Sequence, residues 1–374
     1  MRATAAERER LNALFAELCA IPSPFGRERA MADRVAAELR AIGLDPEEDG
    51  AAAEAGAECG NLLARSGDRG VLLCAHLDTV PHGDVPIEPV LVDEGWENAN
   101  DAILGADNKA AVAVMLVAAR RAVAEGRAVE LLLTVSEENA LAGAKAFDAS
   151  KLRSRFGYVF DHATPIGEVV MAAPTYYRLT ADFHGKAAHA GIRPEDGRSA
   201  ILAAARAIGS LKLGRLDPET TANVGTIEGG SGGTNVVAER CRFLAEARSL
   251  DDRRAEAVVA EMVDRIHDAA NDPACDVDAD VDVERLFQGY RHQPDAPQVL
   301  AAERALRRCG YEPVRIVTGG GSDVNALEAQ GFPCANLANG TERNHEPTER
   351  VSVAALEGML DVTLALLDEC APRP

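Results

Sequence analysis

Val71-Leu-Leu-Cys-Ala-His76-Leu-Asp78-Thr-Val-Pro81 is the stretch whose reading decides the fold. Its first five residues are apolar without alternation, which is how a strand reads when helices cover both faces of its sheet. The run ends abruptly at His76. The same unit then recurs. A predicted helix over 107–124 leads into an apolar run over 129–135 that stops at Glu137-Glu138, and a third short run over 158–160 stops at Asp161. Open α/β sheets bind ligands just beyond the carboxyl ends of their strands, so these polar stops are expected along one edge.

Working outward, two amphipathic helices are predicted over 4–19 and 27–42. Near residue 173 the pattern changes. Residues 176–184 alternate as a half-exposed strand, followed by a helix over 198–212 and strands over 222–228 and 240–248. A helix over 252–270 and a strand over 276–284 complete a βαββαβ order, the ferredoxin-like arrangement. From Phe287 the α/β pattern returns, with a helix over 297–308, strands over 313–317 and 334–338, a Gly-rich turn between them and a C-terminal amphipathic helix. The reading is therefore a discontinuous α/β catalytic domain, 1–172 and 286–374, interrupted by an α+β lid, 173–285.

Composition narrows the partners. The 374 residues are 47% hydrophobic and 26% charged, enough apolar material for substantial cores. A net charge of −21 repels phosphate backbones and anionic lipid, so neither nucleic acid nor membrane is an expected partner. No run approaches the roughly 20 apolar residues of a membrane span, and the N-terminal stretch lacks the apolar centre of a signal peptide. The eight cysteines are scattered without a CxxC pair, which fits reduced thiols in a cytoplasm.

The candidate site residues are individually ordinary. His76 with Asp78 reads as a buried histidine held by a carboxylate, although the same pairing also orients a metal-binding imidazole. Asp107 stands where an N-capping aspartate would stand. Glu137 and Glu138 close a buried strand, where adjacent carboxylates are costly unless cations meet them. Neighbouring residues of an extended segment point apart, so one carboxylate can bind metal while the other serves as a base. Asp161 and His345 add a further carboxylate and imidazole. Two histidines and three carboxylates from separate strand ends match a centre for two Zn²⁺ ions bridged by one carboxylate.

AHLDTVP, GADNKAAVAVML, TVSEENALAGAKAF, FHGKAAHAG, GGTNVV, EARSLD, GGGSDVNAL and the late His345 together resemble the M20 metallopeptidase family, over nearly the whole chain. The GADNKA and GAKAFD phrases and the segment GKAAHAGIRPEDGRSAI are most similar to its peptidase T-like, tripeptidase branch. The resemblance implies that His76, Asp107, Glu138, Asp161 and His345 hold two Zn²⁺, with Co²⁺ or Mn²⁺ as substitutes and Asp107 bridging. It implies that Asp78 orients His76 and that Glu137 is the general base toward a zinc-bridging water. It further implies a cis peptide after Asp107, and substrate binding by His189, Asn235 and Arg248 of the lid. Asn139-Ala140 departs from the family, which more usually has an apolar residue and glycine there.

The implied activity is hydrolysis of short peptides by a tripeptidase or aminopeptidase. An N-acyl amino acid amidohydrolase, dipeptidase or carboxypeptidase on the same scaffold stays open, as does a homodimer through the lid. A catalytically silent dimeric binding protein would be expected to lack Glu137 or a ligand, and none is missing.

Overall fold

The structure, a computed structural model, describes residues 2–230 and 232–370. The chain forms two compact units, one from the residues up to Ala172 and from His292 onward, the other Ala173–Arg291.

In the first unit the sheet is built around four strands, in the spatial order Val129–Thr134, Val71–His76, Gly157–His162 and Cys334–Ala338, each parallel to its neighbour. Strands Val71–His76 and Val129–Thr134 are buried along their full length, as their largely apolar sequences require, and the one charged residue inside the second, Glu130, accepts the backbone N–H groups of Arg153 and Ser154. Helix Ala106–Ala124 is buried all round from Ala106 to Ala119, which its Ala- and Val-rich sequence allows because small side chains let it sit deep in the core. Antiparallel strands flank the parallel core: Leu62–Ser66 pairs with Val129–Thr134, and Glu168–Ala173 pairs with Cys334–Ala338. Four parallel strands share one direction, so all four carboxyl ends open on the same edge.

The second unit carries one antiparallel sheet in the order Gly214–Asp217, Thr220–Gly229, Arg240–Ser249, Thr175–His184, Asp278–Phe287. Without its first edge strand this is the ferredoxin-like order. Helices Ala200–Ser210 and Asp252–Ala270 pack their apolar stripes on it, with Phe183 and Phe243 at the centre of a separate core.

Several elements had no sequence expectation. The Gly-rich turn ends in a short helix, Asp323–Ala329, capped by Ser322 and Asn325. Strands Pro89–Val92 and Gly95–Asn98 form a hairpin in a small separate sheet with Arg350–Ser352. Short, partly exposed strands of this kind lack the uninterrupted apolar run that made the central ones readable.

Candidate metal centre

The edge of the parallel strands gathers the polar stops. His76 is the last residue of its strand and Asp161 the last but one of Gly157–His162. Glu137 and Glu138 follow strand Val129–Thr134 by a few residues, and His345 lies in the loop before strand Arg350–Ser352. Asp107 sits in the first turn of Ala106–Ala124 but with non-helical angles, φ −81° and ψ 105°, and its peptide bond to Asn108 is cis. The cap position itself belongs to Gly105, so Asp107 is not the N-cap that its sequence position suggests.

The side chains converge in two overlapping sets. His76, Asp107 and Asp161 offer ligand atoms within 4.8 Å of one another, and so do Asp107, Glu138 and His345. Asp107 belongs to both. Its Oδ1 is 3.4 Å from His76 Nε2, while its Oδ2 is 3.3 Å from His345 Nε2. Two ligands each about 2.05 Å from a zinc ion at the tetrahedral angle lie about 3.3 Å apart. These separations are thus long for hydrogen bonds and right for ligand pairs. His76 Nε2 and Asp107 Oδ1 are also buried with no hydrogen-bond partner, a costly condition that a cation between them would relieve. His76 Nε2 stands 3.8 Å from Asp161 Oδ1, and His345 Nε2 stands 2.8 Å from Glu138 Oε1. The donor set, imidazole nitrogens and carboxylate oxygens, suits Zn²⁺.

Charge points the same way. Burial pushes the Asp161 carboxyl up to about 8, with the neighbouring Asp107 charge adding to it. Glu137 is driven well above the usual carboxylate range by burial and by Asp161, and Glu138 is raised by burial. His345 is raised to about 10 by its contacts with Asp107 and Glu138. Burial opposes charge on His76, but Asp107, Asp161 and Asp78 outweigh it and hold its pKa well above normal. Carboxylates outnumber imidazoles in a desolvated place, and added positive charge is what would balance them. Glu137 has a carboxylate oxygen within 4.8 Å of ligand atoms of His76 and Glu138, beside the centre.

The surrounding polar groups hold backbone rather than metal. His76 Nδ1 is 3.1 Å from the carbonyl oxygen of Asp78 and 3.4 Å from its Oδ1. The two Asp78 carboxylate oxygens accept the backbone N–H groups of Glu137 and Glu138, at 3.0 Å each. Asp78 therefore fixes the glutamate pair as well as facing the imidazole. Three more residues, absent from the sequence reading, support the site, two through backbone groups and Asn344 through the Asp107 carboxylate itself. Glu28 Oε1 accepts from Ser136 N at 3.2 Å and from Ser136 Oγ at 3.0 Å. Asn336 brackets Asp161, accepting from its N–H and donating to its carbonyl at 3.0 Å each. Asn344 Nδ2 donates to Asp107 Oδ2 at 2.8 Å. A polar residue inside an otherwise apolar strand, as Asn336 is in Cys-Ala-Asn-Leu-Ala, is the one signal that could have flagged any of them.

In the second unit the structure brings His189 and Asn235 together and places Arg248 apart. His189 bridges to Val236, and Ala190 N–H donates to the carbonyl of Asn235 at 2.9 Å. Arg248 lies at the far end of strand Arg240–Ser249, its guanidinium on Glu246 at 3.1 Å and 4.1 Å over the Tyr176 ring.

A two-set cluster of imidazoles and carboxylates on the strand-end edge of an α/β sheet, in a chain that also folds a ferredoxin-like unit, defines a metal-dependent hydrolase. Residues 175–272 match the peptidase dimerisation domain of M20 and residues 60–173 match peptidase family M28. The chain is 35% identical over 97% of its length to protein YqjE of Bacillus subtilis, covering 99% of that protein. Among solved structures, aminopeptidase PepT from Bacillus cereus aligns with a TM-score of 0.86 at 36% identity, over 97% of this chain and 98% of that one. A tripeptidase from Staphylococcus aureus aligns with a TM-score of 0.90 at 33% identity, over 96% and 97%. The chain belongs to the M20 metallopeptidase family, on its peptidase T-like branch.

Proposed function

We propose that the protein is a dinuclear zinc exopeptidase, a tripeptidase or aminopeptidase acting on short peptides in the cytoplasm. The observation that carries this is the Asp107 carboxylate, one oxygen facing His76 and the other facing His345. In this reading His76 and Asp161 complete one metal site, Glu138 and His345 complete the other, and Asp107 serves both. Two Zn²⁺ held by these residues would supply Lewis acidity, lowering the pKa of a bound water and polarising the scissile carbonyl.

Glu137 takes a proton from the attacking water and returns it to the departing amine. Burial and the neighbouring Asp161 raise its carboxyl, which favours its holding a proton. Asp78 holds the Glu137 N–H, so the base has a fixed backbone from which to act. His189 and Asn235 meet the carbonyl region of the substrate, and Arg248 takes a substrate carboxylate in place of Glu246.

Arg248 is eight residues along its strand from Arg240, about 26 Å at roughly 3.3 Å per residue, and His189 lies toward the Arg240 end. A tripeptide of about 10 Å does not span that distance. The two groups therefore serve different active sites, which a homodimer through the dimerisation domain supplies. All eight cysteines are free, and no helix among the described residues is long and apolar enough to cross a membrane.

Metal analysis joined to a cleavage panel tests the reading. Two equivalents of Zn²⁺ per chain, with turnover of tripeptides or amino-terminal cleavage, are expected. Hydrolysis confined to dipeptides or acyl-amino acids would move the assignment to another amidohydrolase on this scaffold, and no hydrolysis of any would end it.

A further inference from the structure

Glu349 is buried, 2% exposed. Its carboxylate accepts hydrogen bonds from one short turn. Oε2 accepts the N–H groups of Leu104 and Gly105 at 2.9 and 2.8 Å, and Oε1 accepts the N–H of Asp107 at 2.9 Å. The turn wraps the carboxylate because Gly105 adopts the left-handed conformation, φ 75°, which aims successive N–H groups inward. Three backbone donors on a buried carboxylate make a strong, geometrically exacting contact.

The position of Glu349 in the chain gives that contact a direction. It lies four residues after His345, at the mouth of strand Arg350–Ser352, which is paired to Gly95–Asn98. One covalent segment thus carries His345 at one end and, at the other, the carboxylate that grips the turn of Asp107. Asn344 adds a second tie between the same two loops through Asp107 Oδ2. The set Asp107, Glu138 and His345 draws two of its three members from these loops, whereas His76 and Asp161 come from strands Val71–His76 and Gly157–His162, and the three hydrogen bonds to the Glu349 carboxylate run to neither.

We propose that Glu349 is a positioning residue that sets the spacing of Asp107 and His345, and so governs selectively the metal site those two share with Glu138. The inference rests on the dinuclear reading above. Losing the carboxylate frees the Asp107 turn to shift against the His345 loop. The site made by His76 and Asp161 keeps its strand-borne ligands and feels the change only through the shared aspartate.

The test titrates Co²⁺ alone into chelator-stripped full-length protein, wild type and Glu349→Gln, following visible absorption and heat. Wild type is expected to take up two equivalents. In Glu349→Gln one equivalent should weaken by about 10- to 100-fold, the usual effect of removing a group that holds a ligand in place, with the other changing severalfold less. Equal weakening of both equivalents, or of neither, overturns the proposal. A wild type that takes up one equivalent or none overturns the dinuclear reading and this inference with it. Hydrogen exchange on metal-free wild type guards against a variant that does not fold. The Leu104, Gly105 and Asp107 amides should be protected before any metal is added, and free exchange at all three would equally overturn the proposal.

Discussion

At the scale of single residues, the proposed mechanism separates groups that would hold metal from the one that would move a proton. Glu137 and Glu138 are adjacent, and Asp78 fixes the backbone of both, yet only Glu138 reaches His345, at 2.8 Å. Glu137→Gln keeps the shape and the backbone anchor while removing the base. It should therefore bind two metals as wild type does and lose kcat by at least 10²- to 10⁴-fold, read by metal content and steady-state kinetics. Near-normal turnover would remove Glu137 from the mechanism. The family departure just downstream has a physical consequence of its own. Ala140 occupies the left-handed region at φ 56°, where a Cβ is strained and glycine is not. Ala140→Gly should raise stability by about 0.5–1 kcal/mol in urea unfolding, the relief of strain exceeding the entropy that glycine gains when unfolded. A lower midpoint would mean that the turn carries no strain worth relieving.

At the scale of elements, the candidate centre sits where four parallel strands end on one edge, and three of them deliver a polar residue there from a rigid base. Asp161 shows how finely this is done. Asn336, one strand over, brackets its peptide group with two hydrogen bonds at 3.0 Å. Asn336→Leu keeps the bulk of the strand but leaves a buried N–H and C=O unpaired, at roughly 1–3 kcal/mol for each such group. Uptake of the metal bound by His76 and Asp161 should weaken about tenfold or more, with the His345 metal far less changed, the reverse of the pattern expected for Glu349. Unchanged affinity in a stable variant would show that the strand alone orients Asp161. The same contrast explains what the sequence disclosed. Central strands were legible because burial on both faces writes a largely apolar run, interrupted only by Glu130 and Thr134 in one of them, that stops at His76 or just short of Glu137. Glu349, Glu28 and Asn344 were not, since a carboxylate or amide that holds a distant loop leaves no periodic trace at its own position. Asp107 was visible as an aspartate at a helix start, but its non-helical backbone and its exclusion from the cap appear only when the turn around Glu349 is seen.

At the scale of the whole molecule, pH acts on stability through groups far from the chemistry as well as near it, and His292 is the clearest of these. It opens the segment that returns to the first unit, its N–H bonded to the carbonyl of Met171 at 2.8 Å, its ring buried at 7% exposure. Burial depresses its pKa from 6.5 to about 4. The ring faces Glu328, Nδ1 to Oε1 3.8 Å, whose carboxyl burial pushes up. The sign follows from proton counting. Between about 4 and 6.5 the unfolded chain binds a proton on this histidine and the folded chain does not, so stability falls as pH falls through that window. The full effect is on the order of 1–3 kcal/mol, present at neutral pH and lost by about pH 4. Glu328 works in the opposite sense, gaining its proton more readily in the fold, so the histidine must be isolated by comparison. His292→Gln removes the titration and leaves Glu328 in place. In chelator-stripped protein, where metal release cannot intrude, the urea midpoint of wild type should drop more than that of His292→Gln between pH 7 and pH 5. Parallel profiles would place the ring in contact with solvent water and assign the acid sensitivity of the fold to other groups.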